Sequence, residues 1–253
     1  MAQRRQRRKK ADSNSSREDR RDGLSEALVT LQNPSGAATE AYRMLRTNLF
    51  YARVDAPPKV IVLTSAGFDE GKSTTCANLG VALAQAGKNT LILDCDLRKP
   101  TQHKIFKTRG ILGLVDVLVG ERAPQEVWHE PIPGLKLIPA GAPPPNPAEI
   151  LTSRRLAQFL DQVREEFDYV LVDTPPVGYA SESAALAANG DGVLLVLDSQ
   201  HTRKGSLRQA LRRLGSVGAN VLGTVMNKYE APNRGKDTAG GYYSTVPTDY
   251  YAG

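Results

Sequence analysis

The residues from Ala66 to Thr74 read Ala-Gly-Phe-Asp-Glu-Gly-Lys-Ser-Thr and are well suited to bind a phosphate group. They have the form of a phosphate-binding loop, in which Ala or Gly is followed by four residues and then Gly-Lys-Ser. Backbone N–H groups of such a loop surround phosphate oxygens, and the positive end of the following helix points at them. We predict that Lys72 reaches the β- and γ-phosphates of a nucleotide and that the Ser73 hydroxyl holds Mg²⁺. The loop residues predicted to contact the nucleotide are Ala66, Gly67, Asp69, Glu70, Gly71, Lys72, Ser73 and Thr74.

Three aspartates supply the carboxylates that phosphoryl transfer needs. Asp173 ends one apolar strand, and Asp94 and Asp96 stand two apart at the end of another. If that second strand continues to Asp96, both of its carboxylates point to the same side. Transfer to a hydroxyl group requires charge neutralisation at the γ-phosphate and a base for the proton. We assign Asp94 as this base or as the group that orients the acceptor, and Asp96 and Asp173 to the metal. The roles of Asp94 and Asp96 could be exchanged, and Arg98 either adds positive charge or pairs with one of these carboxylates.

Alternating strands and helices must position these residues. Apolar runs predict strands at 60–63, 90–94, 135–139, 168–173, 192–197 and 220–226. Helical spacing predicts helices at 39–53, 75–87, 110–119, 153–167, 181–188 and 206–214, with Thr39 as a possible N-cap of the first. The strands are too apolar to have a face in water, so we predict an α/β fold whose mainly parallel sheet carries helices on both faces. Ligands bind at the carboxyl ends of such strands, so the loop and the aspartates should converge there.

The excess positive charge of the 253-residue chain lies at its beginning. Residues 1–22 hold nine Lys or Arg and four Asp or Glu, whereas the remainder holds 24 basic and 23 acidic residues. A nearly neutral body does not indicate a nucleic-acid-binding groove. The basic segment cannot bury enough apolar surface to fold, and we predict that it is disordered. It is either a solvated tail or a segment attracted to an anionic membrane surface.

The pattern divides the chain into three parts. We predict a basic tail and linker at 1–32, with an extended linker at 23–35, a single α/β domain at 33–228, and a flexible tail at 229–253. No apolar run approaches the length of a membrane span and no signal peptide is visible, so we expect a cytoplasmic protein. Cys76 and Cys95 fit a reducing compartment and are expected to pack as small core residues.

Four of the nine tyrosines lie in the last twelve residues: Tyr242, Tyr243, Tyr250 and Tyr251. Tyrosines of a core alternate with aliphatic residues, but these stand among Gly, Ser, Thr and Pro. The cluster is either a binding or low-complexity tail, or a set of exposed phosphoryl acceptors attached to an ATP site.

Taken together, these motifs resemble those of the bacterial tyrosine kinases (BY-kinases), in the form whose cytoplasmic kinase is separate from its transmembrane activator. The resemblance runs from about residue 33 to the end of the chain. Residues 40–46 resemble the family's Glu-x-x-Arg-x-x-Arg oligomerisation helix, and residues 66–73 resemble its Walker A loop. Residues 91–100 and 170–176 are similar to its Walker A′ and Walker B motifs, and 139–151 to its proline-rich segment. The family often has Pro-Gly where Phe68-Asp69 stands here, which places a carboxylate near phosphate.

The resemblance implies a P-loop NTPase-like fold and autophosphorylation of the tyrosine tail in trans, dependent on ATP and Mg²⁺. It implies a ring-like homo-oligomer whose interface includes Glu40, Arg43 and Arg46, and it aligns Asn227 with a residue that contacts adenine in related ATPases. It further implies activation by a transmembrane partner at the inner face of the membrane, protein tyrosine substrates, an opposing tyrosine phosphatase, and a role in capsule or exopolysaccharide production. No nucleic-acid partner is expected.

Two other functions compete with this interpretation. A MinD/ParA-like switch ATPase shares the fold and the Walker B motif, but it carries a signature lysine at the position of Gly67 and lacks a terminal tyrosine cluster. A non-catalytic regulator that binds nucleotide to set its oligomeric state is the second alternative. The intact set of Lys72, Ser73 and the three aspartates argues against it.

Overall fold

The structure is a computed structural model that describes residues 25–52 and 57–230. The basic segment 1–22 and the tyrosines at 242, 243, 250 and 251 lie outside these residues. In the part of the chain that the structure describes, no helix combines the length and the apolar character needed to cross a bilayer.

One mainly parallel sheet forms the centre of the fold. Its strands within the described residues are β1 (Val60–Ser65), β2 (Thr90–Asp94), β3 (His129–Ile132), β4 (Leu135–Ile138), β5 (Tyr169–Asp173), β6 (Gly192–Asp198) and β7 (Val221–Asn227). They lie in the order β3-β4-β2-β5-β1-β6-β7. All neighbouring strands are parallel except β3, which pairs antiparallel with β4. The predicted mainly parallel sheet is therefore confirmed, with one antiparallel edge strand.

Helices connect the strands and cover both faces of the sheet. In the described residues they are α1 (Val29–Gln32), α2 (Ala37–Phe50), α3 (Lys72–Gln85), α4 (Gln102–Ile105), α5 (Leu114–Val119), α6 (Pro124–Val127), α7 (Pro147–Leu151), α8 (Arg154–Glu166), α9 (Ser181–Asn189) and α10 (Lys204–Ser216). Alternate residues of β1 enter two separate cores, because successive side chains of a strand point to opposite faces. Val60 and Val62 join the core that includes α8, whereas Ile61 and Leu63 join the core that includes α3. This two-sided burial explains why the strands are apolar throughout.

The carboxyl ends of three adjacent strands carry the predicted site. β5 lies between β1 and β2, and Asp94 and Asp173 stand opposite each other in the register of β2 and β5. The phosphate loop leaves β1 at this same edge. The sheet thus brings together residues that are about a hundred positions apart in the sequence.

The predicted linker at 23–35 is wrong for the residues that the structure describes. Val29–Gln32 forms one helical turn, and Leu28 and Leu31 are buried in the core on the α3 side. Asn78 of α3 accepts from the Thr30 N–H at 3.1 Å and from its hydroxyl at 2.9 Å. These contacts fix the segment on α3, so the fold begins before residue 33.

The predicted N-cap of the next helix is also wrong. α2 begins at Ala37 with Gly36 as its N-cap, and Thr39 lies inside the helix. The Thr39 hydroxyl donates to the carbonyl oxygens of Asn33 at 2.6 Å and Val29 at 3.0 Å. It therefore joins α2 to the preceding turn, and the apolar spacing that predicted the helix was a better guide than its first hydroxyl residue.

Candidate active site

The phosphate loop joins β1 to α3 and depends on a left-handed residue at its end. Gly71 has a φ of 89°, and a Cβ built on it would collide with the side-chain amide of Asn227. Glycine is therefore required at this position for both its conformation and its size. Asp69 also has a positive φ, of 59°, which is the position where the resembled family often has glycine.

Two side chains brace the loop from within. The carboxylate of Glu70 is buried, and it accepts from the Gly67 N–H at 3.0 Å and from the Thr202 hydroxyl at 2.5 Å. The side-chain amide of Asn227 donates to the Glu70 carbonyl oxygen at 3.1 Å. Glu70 and Asn227, both predicted to contact the nucleotide, thus have their polar groups directed at the loop itself. Their observed role is to hold its shape.

A third brace comes from Lys228, which sequence reasoning missed. Its ammonium donates to the Asp69 carbonyl oxygen at 2.8 Å and to the Asp198 carboxylate at 2.7 Å. The Lys228 ammonium, together with the Gln200 N–H, holds the pKa of Asp198 well below its usual range. The Asp69 carboxylate is exposed and lies 3.2 Å from the Lys99 ammonium. The carboxylate expected near phosphate is therefore paired with a cation at the outer surface of the loop.

Lys72 lies between two carboxylates at the start of α3. Its ammonium is 2.8 Å from Asp96 and 3.7 Å from Asp173, and it also donates to the Ser73 hydroxyl at 3.1 Å. Burial alone would lower the pKa of Lys72, but the charges of Asp173 and Asp96 outweigh this effect and raise it. The lysine is thus held as a cation at the place where negative phosphate charge is expected.

Asp173 is fully buried and keeps one oxygen free of protein hydrogen bonds. Its Oδ2 accepts from the Gln102 side-chain amide at 2.8 Å, while its Oδ1 has no hydrogen-bond partner among the described residues. Burial raises its pKa, whereas the Lys72 charge and the Gln102 amide lower it. Gln102 also donates to the Ser73 carbonyl oxygen at 3.0 Å, so it ties the aspartate to the phosphate loop.

This donor set fits Mg²⁺ in one particular way. An unpartnered carboxylate oxygen and a nearby hydroxyl group are oxygen donors of the kind that Mg²⁺ prefers. Within the described residues, no group of three or more His, Cys, Asp or Glu side chains is arranged to hold a metal ion. A magnesium ion at Ser73 and Asp173 would therefore take its other ligands from phosphate oxygens and water, as is usual for this ion.

The Asp94 carboxylate points away from the phosphate loop. It accepts hydrogen bonds from the backbone of the residues that follow β2. Its Oδ2 accepts from the N–H groups of Thr101 at 3.0 Å and Gln102 at 2.9 Å, and its Oδ1 accepts from Asp96 N–H at 3.3 Å. β2 ends at Asp94, so the strand continuation considered for Asp96 does not occur. Burial and the charge of Asp173 raise the pKa of Asp94, although the N–H groups of Gln102 and Thr101 oppose this. Asp94 therefore organises the turn that carries Asp96 and Gln102.

Arg98 pairs with a carboxylate that sequence reasoning missed. Its Nε donates to Glu182 at 2.7 Å, and the Glu182 side chain is 1% exposed whereas that of Arg98 is 56% exposed. Of the two roles considered for Arg98, pairing with one of the three aspartates is therefore wrong, since its partner is Glu182. Glu182 lies in the first turn of α9, where nothing in the local sequence indicates a buried charge.

The three residues predicted at the oligomer interface do not behave alike. Glu40 and Arg43 form an exposed ion pair at 3.0 Å on the surface of α2. Arg46 instead donates to the Ala82 carbonyl oxygen of α3 at 3.1 Å, and its guanidinium lies 6.0 Å from the centre of the Phe50 ring. Arg46 thus holds α2 on α3 within one chain, while Glu40 and Arg43 are available at the surface.

Known proteins resemble the chain over most of its length. A family model described as an AAA domain matches residues 58–222. The tyrosine-protein kinase YwqD of Bacillus subtilis is 35% identical over 230 residues, which cover 90% of this chain and 96% of YwqD. The tyrosine-protein kinase wzc of Salmonella typhimurium is 33% identical over 201 residues, which cover 79% of this chain but only 28% of wzc. The crystal structure of the chimerical protein CapA2B2 matches with a TM-score of 0.78 at 34% identity, over 82% of this chain and 92% of that one.

Proposed function

Since the chain belongs to the family of bacterial tyrosine kinases, we propose that it transfers the γ-phosphate of ATP to tyrosines of its own C-terminal segment, with Mg²⁺ and between copies of the chain. The observation that carries this proposal is the position of the Lys72 ammonium between Asp96 and Asp173, beside the Ser73 hydroxyl. The acceptors proposed are Tyr242, Tyr243, Tyr250 and Tyr251.

The loop and Lys72 would bind and neutralise the donor. The contacts of Glu70, Asn227 and Lys228 hold the loop in shape. Its backbone N–H groups can therefore donate to phosphate oxygens without further rearrangement. Lys72 would move its ammonium from Asp96 to the γ-phosphate, where it offsets the charge that builds up during transfer. When bound to Ser73 and Asp173, Mg²⁺ supplies further neutralisation of the phosphate oxygens.

The movement of Lys72 would also free a base. The phenol oxygen of the acceptor forms a bond to the γ-phosphorus, the bond from that phosphorus to the bridging oxygen of ADP breaks, and the phenol proton passes to a carboxylate. We assign this carboxylate to Asp96, because its Oδ2 loses its partner when Lys72 leaves. Asp94 is the weaker candidate, since it is fully buried and its two oxygens accept three backbone N–H groups. We therefore give Asp96 the role of base first considered for Asp94, while Asp94 holds the turn that carries Asp96.

Transfer between copies requires an assembly, and the exposed pair of Glu40 and Arg43 is a suitable contact for it. Each phosphotyrosine adds a charge of about −1.5 to −2, so several on one segment would repel one another and loosen a ring. Activation by a transmembrane partner, reversal by a tyrosine phosphatase and a role in capsule or exopolysaccharide production rest on the family resemblance. The basic segment 1–22 is proposed to assist recruitment to the inner face of the membrane.

A mixing experiment tests transfer between copies. One chain carries Lys72→Met and a mass tag and keeps its tyrosines; the other keeps Lys72 and has all four terminal tyrosines replaced by Phe. With Mg-ATP, phosphate should appear on the tagged chain, and each chain alone should remain unmodified. If the mixture stays unmodified although wild-type protein phosphorylates itself, transfer occurs within one chain.

The switch-ATPase alternative is not favoured. The relatives described above are named tyrosine-protein kinases, and Gly67 stands where the signature lysine of switch ATPases belongs. A non-catalytic nucleotide sensor would not need Lys72, Asp96 and Asp173 to meet at a single point.

A further inference from the structure

Two exposed aromatic rings lie against each other beside the phosphate loop. The ring centres of Phe68 and Tyr179 are 4.6 Å apart, with an angle of 38° between their planes. Phe68 is 57% exposed and Tyr179 is 68% exposed. Large aromatic side chains are usually buried, since each has a large apolar area. An exposed pair that includes a residue of the phosphate loop therefore suggests a surface that another ring contacts.

Both rings are carried by segments that also hold the proposed machinery. Phe68 stands four residues before Lys72 in the phosphate loop, and Tyr179 stands six residues after Asp173. A ligand that contacts this pair would thus lie beside the place where the γ-phosphate is transferred.

The segment that presents Tyr179 is held in place. The guanidinium of Arg213 donates to the carbonyl oxygens of Val177, at 2.8 Å, and Gly178. A Cβ built on Gly178 would collide with the Ala66 carbonyl oxygen, so this segment packs directly on the phosphate loop. The two rings are therefore positioned before any ligand arrives, which lowers the entropy cost of binding.

We propose that Phe68 and Tyr179 form the subsite for the ring of the acceptor tyrosine, and that its occupant is the tyrosine-rich segment 242–251. The inference deepens the proposed function and rests on it, because it takes that segment as the acceptor. A phenol ring stacks favourably on an aromatic pair while its hydroxyl group stays free to face the γ-phosphate. The two rings thus recognise the aromatic ring of the acceptor tyrosine. The phosphate loop holds the γ-phosphate, and the carboxylate takes the proton from the phenol oxygen.

The end of the described chain supports this occupant. Lys228 donates to the carbonyl oxygen of Asp69, the neighbour of Phe68, and the described residues end at Glu230. The described chain therefore ends close to the phosphate loop that carries Phe68. Tyr242 stands twelve positions after Glu230, so the stretch between them spans up to about 40 Å when extended. This length allows the segment to reach the pair of its own copy or of a neighbouring copy.

Binding of a synthetic peptide tests the subsite without requiring turnover. A fluorescent peptide of residues 238–253 is titrated with the full chain in the presence of Mg²⁺ and a non-hydrolysable ATP analogue, and its anisotropy is recorded. Phe68→Ala and Tyr179→Ala should each weaken peptide binding by about three- to tenfold. Tyr179→Phe, which keeps the ring, should bind like wild type, as should Tyr51→Ala, which removes an exposed ring at the end of α2. Affinity for the nucleotide analogue should not change.

Three results would overturn the inference. The first is equal peptide binding by wild type and both alanine variants. The second is a loss of nucleotide affinity, since it would make the rings part of the nucleotide site. The third concerns a control peptide whose tyrosines are replaced by Ala. If both alanine variants weaken the binding of this peptide as much as they weaken the binding of the tyrosine peptide, the rings do not recognise tyrosine. The proposed function fails separately: a peptide that binds through the rings but gains no phosphate from Mg-ATP would refute the transfer and leave the subsite standing.

Discussion

Gln102 is the residue whose replacement tests the proposed site most sharply. Its buried side-chain amide joins Asp173, at 2.8 Å, to the Ser73 carbonyl oxygen, at 3.0 Å. Gln102→Leu keeps a side chain of similar length and removes both donors. Asp173 would then keep the Lys72 ammonium, at 3.7 Å, as its ion-pair partner. The substitution therefore weakens the support of the carboxylate and its tie to the Ser73 backbone, while every loop side chain and Lys72 stay unchanged.

The magnitude follows from the type of hydrogen bond lost. A hydrogen bond to a charged group contributes about 1.5–3 kcal/mol, and one to a carbonyl oxygen contributes about 1 kcal/mol. We expect Gln102→Leu to lower the free energy of unfolding by about 2–4 kcal/mol near neutral pH. The Gln102 amide lowers the pKa of Asp173, so its loss raises that pKa further above the unfolded value. A raised carboxylate pKa gives stability that is present below the unfolded pKa and lost as pH rises through the folded pKa, so the destabilisation caused by Gln102→Leu should grow as pH rises.

Urea denaturation and the pH profile of peptide phosphorylation measure these effects. Because transfer needs an ionised Asp173, the acid limb of kcat/KM should move to higher pH in the variant. Gln209→Leu is the matched control, since this glutamine is exposed on α10. Equal stability of the two variants, together with an unshifted acid limb, would show that Gln102 does not support Asp173.

Three further variants test Lys72, the surface pair of α2 and Lys228. Lys72→Met should abolish phosphoryl transfer because it removes the charge that neutralises the γ-phosphate, and activity near the wild-type rate would refute this role. Replacing Glu40 and Arg43 with Ala should leave a folded chain of monomer mass by light scattering, and an unchanged oligomer would count against the interface. The depressed pKa of Asp198 gives stability that is present above its unfolded pKa and lost as pH falls below about 4. Lys228→Met should therefore cost stability at neutral pH and little in acid, and a pH-independent difference between the urea midpoints would contradict this pairing.

The sequence predicted the parts of the site that depend on short motifs. The phosphate loop has a fixed spacing, and a run of apolar residues that ends in Asp is typical of a buried parallel strand. Asp173 and Lys72 were found in this way, and the sheet then brought them together as expected. Residues at the carboxyl ends of parallel strands come together because these ends lie at one edge of the sheet. Their proximity can therefore be predicted once the strands are identified.

The residues that were missed act over long distances and have no local signal. Gln102 contacts Ser73 and Asp173, which are 29 and 71 positions away, and a single glutamine after a turn does not reveal either contact. Buried Glu182 pairs with Arg98, which follows β2 and is 84 positions away in the sequence. Leu28 and Leu31 did carry a signal, a spacing of three residues, but the turn is too short for periodicity to distinguish it from a linker.

The central claim is that this chain phosphorylates its own terminal tyrosines, and mass spectrometry of the intact protein and its peptides tests it directly. Purified chain is incubated with Mg-ATP, with and without a cytoplasmic peptide of a membrane activator, beside the Lys72→Met variant. The account predicts added phosphate on Tyr242, Tyr243, Tyr250 or Tyr251 in the wild-type chain and none in the variant. ATP hydrolysis without any added mass, under conditions that include the activator peptide, would contradict the account and favour a switch ATPase.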